Sequence, residues 1–187
     1  MKQKLLITLL LAISFSKINA QKLPYPIIFI HGLNSTQLSF SYITSKLMCD
    51  PLFGNYDTSR PLEESIETVK AIIPNKPCIL VGHSLGGLVA YSLIDHPSVK
   101  GVITISTPLG GSKAAWFAKW LLQVPVLHDI EPNSVYVKHA QKAFSKPSTN
   151  LISTAGHVPF SLDQNDSIVT VSSQRAREKL NPTVDIK

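Results

Sequence analysis

Two kinds of apolar pattern alternate along this chain. Short runs of β-favouring residues occupy 27–30, 78–82, 99–105 and 150–155, each too brief for a helix and bounded by turn-forming residues. Between them lie stretches with helical spacing. Leu62, Ile66, Val69 and Ile73 recur along one face before Pro74-Asn75-Lys76-Pro77 ends the pattern. Residues 38–48 also read as a helix, and residues 85–95 form another that His96-Pro97 stops. Residues 167–179 predict a late helix, and Thr183 to Lys187 begins a last strand. Strands that alternate with helices of these lengths predict an α/β fold, with a mostly parallel central sheet flanked by helices and right-handed crossovers.

The segment 112–147 fits this alternation least and reads as irregular. Trp116, Phe117, Trp120 and Leu121 gather on one side of a helix that starts after Gly110-Gly111-Ser112. Such a face suits either a lid or cap insertion or an ordinary amphipathic helix packed on the sheet.

The amino terminus is set apart by composition. Lys2 and Lys4 precede the apolar run from Leu5 to Ile13, and Ile18-Asn19-Ala20 offers a small residue for cleavage. Residues 1–20 therefore read as a secretory signal peptide, with an uncleaved anchor as the alternative. The expectation is a secreted or periplasmic protein whose residues 21–187 form a single domain.

Cleavage would remove Lys2, Lys4 and Lys17 and lower the net charge from +6 to +3. The remaining surplus lies in 112–147, where Lys113, Lys119, Lys138, Lys142 and Lys146 face only Asp129 and Glu131. That charge is too small to imply nucleic acid. It is compatible with transient contact with an anionic lipid surface or with a solvated face. Cys49 and Cys78 could pair in an exported chain, but Cys78 opens an apolar strand, where a small thiol simply packs.

The candidate chemistry sits at Cys78-Ile79-Leu80-Val81-Gly82-His83-Ser84-Leu85-Gly86-Gly87. A buried strand runs into a serine flanked by Gly82 and Gly86, two residues away on either side. These glycines let strand and helix crowd around a strained turn that pushes the serine out. A nucleotide-binding turn is the rival reading, but neither G-x-G-x-x-G nor a Walker lysine accompanies the strand. The G-x-S-x-G elbow resembles that of the α/β-hydrolase superfamily, lipases and esterases in particular.

Two further blocks extend the resemblance over nearly the whole chain after residue 20. Phe29-Ile30-His31-Gly32-Leu33 is similar to the family's H-G loop, and Ser106-Thr107-Pro108-Leu109-Gly110-Gly111-Ser112 resembles a loop of small bacterial lipases and inositol deacylase-like hydrolases. The resemblance implies Ser84 as nucleophile and the backbone N–H groups of Leu33 and Leu85 as oxyanion hole, with Gly32 allowing close approach. It implies no metal and no organic cofactor.

The family order of serine, acid, then histidine implies an acid at Asp166, within Asn165-Asp166-Ser167-Ile168-Val169. Asp163 is the alternative, and Asp166 could instead cap the helix that follows. No histidine follows Asp166. The sequence thus suggests a chain truncated before its base, or a base at His157 in inverted order, or a relative without activity. The implied function is hydrolysis of a small-molecule or lipid carboxylic ester. A thioesterase or acyltransferase would use the same residues, and a non-catalytic binding protein could keep the fold.

Overall fold

The computed structural model describes residues 23–112, 124–152, 169–176 and 184–185. Its centre is a six-stranded sheet in the order β2-β1-β3-β4-β5-β6. The strands are β1 (Ile27–Ile30), β2 (Pro51–Gly54), β3 (Cys78–His83), β4 (Val99–Ile105), β5 (Ser148–Ile152) and β6 (Val184–Asp185). Every neighbouring pair runs parallel. The predicted α/β architecture is the one observed.

Parallel strands are covered on both faces, so successive side chains of one strand must enter different cores. Ile28 and Ile30 of β1 join the larger core, as do Cys78 and Leu80 of β3. Ile27, Phe29 and Val81 enter the smaller one. The larger core is closed by α2 (Leu62–Ala71), α3 (Leu85–Ser92), α4 (Val126–Asp129) and α5 (Val135–Lys142). The smaller lies under a 3-10 turn, Gln37–Phe40, and α1 (Ser41–Lys46), where Phe40 stacks at a tilt on Phe29 with centroids 5.0 Å apart. Cys49 packs against the smaller core and Cys78 belongs to the larger, so the sheet separates them and both are free thiols.

Four elements depart from the sequence reading. β2 was not anticipated: four residues between Pro51 and Gly54 at the sheet's edge carry little signal. The supposedly irregular 112–147 contains α4 and α5, and both are tied to α2. The Asp129 carboxylate accepts the Leu62 N–H at 2.8 Å, where α2 has no side-chain cap of its own. The Tyr136 hydroxyl donates to Glu63 at 2.9 Å. The last helix, α6, is described over Val171–Gln174, and its N-cap is Thr170, whose side chain accepts the Ser173 N–H. Asp166, weighed as a cap for this helix, lies outside the described residues.

The fourth strand run begins earlier than expected, at Ser148, and its residues 153–155 lie outside the described residues. So do the signal-peptide segment and the cluster of Trp116, Phe117, Trp120 and Leu121. Among the described residues, no helix is long and apolar enough to cross a membrane.

Candidate active site

β3 is buried along most of its length and ends at His83. Ser84 follows with φ 51° and ψ −119°, a region that L-residues other than glycine rarely enter. Holding a serine there costs on the order of 1–3 kcal/mol, which the surroundings must offset. Two backbone bonds do so. The Ser84 N–H donates to Ile105 O at 2.9 Å, and the Gly87 N–H returns to Ser84 O at 3.0 Å. α3 starts at once with Leu85. A Cβ on Gly82 would strike the backbone of Gly86, and one on Gly86 would strike the carbonyl oxygens of Ile30 and His31. The two glycines are thus what lets α3 sit directly on the ends of β1 and β3. Ser84 itself stays half-buried and open to solvent.

β1 brings up the second wall. A Cβ on Gly32 would lie 3.0 Å from the Ser84 Cβ and 3.2 Å from the His83 carbonyl oxygen, so the loop after β1 runs against the serine. The His31 ring is buried and stacked on Tyr56, with centroids 4.5 Å apart and planes 6° from parallel. Tyr56 also donates its hydroxyl to His31 O at 2.6 Å. Burial pushes the Tyr56 pKa far up, which keeps that donor protonated. Tyr56 is 25 residues from His31, and no sequence motif announces the pair.

Leu33 packs against the same core that buries Leu85. Neither the Leu33 nor the Leu85 backbone N–H donates to an acceptor among the described residues. Leu85 is the first residue of a helix, where amides have no intrahelical partner and the helix dipole favours negative charge.

This corner is also where the strand order reverses, β1 leading outward to β2 and β3 to β4 on the other side. The connection after β1 leaves over the smaller core and the one after β3 over the larger. Ligands of open parallel sheets bind at the carboxyl ends of two such strands. Asn34 and Ser106, which follow β1 and β4, are the other non-glycine residues described with positive φ, at 49° and 50°. Strained residues thus follow three adjacent strands, β1, β3 and β4, at one edge.

The remaining candidates divide. Gly32 lies against Ser84 and Gly82 against Gly86, Leu85 opens α3 directly after Ser84, and Leu33 packs on the larger core. His96 lies beyond α3, towards the start of β4, where its Nδ1 accepts the Ser98 N–H at 3.3 Å. With His139 it lines a separate groove of about 410 Å³. His128 is exposed beside Glu131. His157, Asp163 and Asp166 lie outside the described residues. Among the described residues, no cluster of three or more His, Cys, Asp or Glu side chains is arranged to hold a metal ion.

A model of the family "serine aminopeptidase, S33" matches residues 57–151, just over half of the chain and including the elbow. No curated protein sequence matches. Among solved structures, the mature Bacillus licheniformis lipase BlEst2 superposes with a TM-score of 0.68 at 20% identity, over 87% of this chain and 82% of that one. Its propeptide form is longer, and this chain spans 45% of it. A monoacylglycerol lipase of Paleococcus ferrophilus gives a TM-score of 0.57 at 18% identity, covering 87% and 84% of the two chains. Est816, described as an N-acyl homoserine lactone degrading enzyme, gives 0.56 at 17%, covering 88% and 85%. At these identities the likeness is one of fold.

Proposed function

Because the chain belongs to the serine aminopeptidase S33 family of α/β hydrolases, we propose that it hydrolyses carboxylic esters through an acyl-enzyme on Ser84. The observation that carries this reading is the strained Ser84, held at the edge of β3 against Gly32. A relaxed serine would satisfy a merely structural turn. Strain of this kind persists where the conformation itself is used. Among the structural neighbours, the lipases favour ester over peptide substrates.

In the proposed reaction the Ser84 Oγ attacks the ester carbonyl carbon while a histidine takes the hydroxyl proton. The oxyanion that forms is held by the N–H groups of Leu33 and Leu85. Collapse of the tetrahedral intermediate breaks the bond to the alcohol, which leaves with the proton. Water then repeats the sequence on the acyl-enzyme and releases the acid. Asp166 orients the histidine, with Asp163 as the alternative. His157, which follows β5 along the sequence, is the candidate for that histidine. Residues 1–20 direct export, which amino-terminal sequencing of the protein recovered from outside the cytoplasm would test.

Hydrolysis of p-nitrophenyl butyrate by the wild type, Ser84→Ala and His157→Ala tests the reaction. Ser84→Ala should lose turnover by a factor on the order of 10⁴ to 10⁶. Unchanged turnover in Ser84→Ala would remove the proposal. Turnover that survives His157→Ala would remove His157 as the base.

A further inference from the structure

A small polar network lies inside the larger core, away from the residues assigned to the chemistry. Asn150 of β5 is 6% exposed, Thr104 of β4 1% and Tyr91 of α3 0%. The Tyr91 hydroxyl donates to Asn150 Oδ1 at 2.7 Å, and the Thr104 hydroxyl donates to the same oxygen at 2.7 Å. Thr104 and Asn150 are register partners in the sheet. One amide oxygen therefore fastens the helix that follows Ser84 to two strands. Buried polar groups carry a desolvation penalty, and apolar side chains would fill this space with less risk.

Position suggests what the network holds. The strand tips are linked in series: the Ser106 N–H donates to Leu151 O at 2.9 Å, and the Ser84 N–H donates to Ile105 O at 2.9 Å. A shift of β5 thus reaches Ser84 through the backbone of β4. Towards its other end α3 is held by the packing of its buried face and by the Tyr91 hydrogen bond. We infer that Asn150 is a positioning residue, which sets the paired strands β4 and β5 against the helix that follows Ser84. This inference rests on the proposed serine hydrolase reading. A displacement of about 1 Å between reacting groups is enough to cost large factors in rate.

The test uses the full chain with Tyr91→Phe, Thr104→Val, the pair combined, and Asn150→Leu. Each is assayed with p-nitrophenyl butyrate and for its rate of labelling by a fluorophosphonate, well below the unfolding midpoint. Tyr91→Phe should lower kcat on the order of 10-fold with KM nearly unchanged, and labelling should slow in parallel. The combined variant should lose less than the product of the single losses, because both hydroxyls act through one oxygen. Tyr91→Phe and Thr104→Val remove a single hydroxyl each, so they keep the test informative if Asn150→Leu does not fold. Folded variants with lowered midpoints but wild-type kcat and labelling would overturn the inference and leave the network a stabilising one. A wild type that neither turns over nor labels at Ser84 would remove the hydrolase reading itself, and this inference with it.

Discussion

β1 and β3 are neighbours that end almost alike. Ile30 is paired with Gly82, and each strand then passes through a histidine, His31 or His83. At the next residue they part. β1 continues with Gly32, which has no side chain, and β3 with Ser84, whose backbone is forced to φ 51°. The two are complementary, since the space that Gly32 leaves is the space in which Ser84 stands. The histidines differ as well. His31 is buried and stacked on Tyr56, fixing the first loop, whereas His83 is half-buried beside the serine. The comparison teaches that this site is made from an omission on one strand and a strain on the next.

Filling the omission nearest the helix should have the largest effect. Gly86→Ala would drive a methyl group into the carbonyl ends of β1, so α3 could not keep its seat. Urea unfolding should show a loss of about 3 kcal/mol or more, at the upper end of overpacking costs, or no folded protein. Gly32→Ala is milder, because its Cβ would stand 3.0 Å from the Ser84 Cβ, where small shifts suffice. That variant should fold and lose up to about 100-fold in kcat/KM from displacement of the serine and the Leu33 amide. Wild-type kinetics in Gly32→Ala would break the complementarity.

Releasing the strain sharpens the comparison from the other side. Ser84→Gly should be more stable than Ser84→Ala by about 1 kcal/mol, although neither can form an acyl-enzyme, because glycine occupies positive φ without penalty. Equal midpoints in thermal unfolding would mean that Ser84 is not strained.

The smallest effect concerns the opposite end of β3. Cys78 opens that strand with a buried thiol whose pKa is pushed up by desolvation. Cys49 is also raised, by burial and the nearby Asp50, but it is only partly buried. Iodoacetamide at neutral pH should therefore modify Cys49 first and reach Cys78 only on unfolding, as mass spectrometry would show. Faster reaction at Cys78 would contradict the packing of β3.

Much of this arrangement was legible in the residues. The strand at 27–30, the elbow strand with the helix after it, the strand at 99–105 and the helix that starts at Leu62 follow from apolar patterning and clear stops. Gly32, Gly82 and Gly86 were readable because glycine near a strand end has few other uses. β2 was hidden because Pro51-Leu52-Phe53-Gly54 is short and lies at an edge, where no alternation is required. α4 and α5 were hidden because their support is distant: Asp129 reaches Leu62 across 67 positions. The same holds for Tyr56 under His31 and for Tyr91 and Thr104 on Asn150. Side-chain bonds across strands leave no periodicity in a sequence.

The central claim is that the strain at Ser84 serves a nucleophile, and covalent capture tests it most directly. After reaction of the full chain with a fluorophosphonate, peptide mass mapping should find one adduct, on the peptide containing Ser84, and none in Ser84→Ala. An adduct on another residue, or an unmodified Ser84 in folded wild-type protein, would contradict the account.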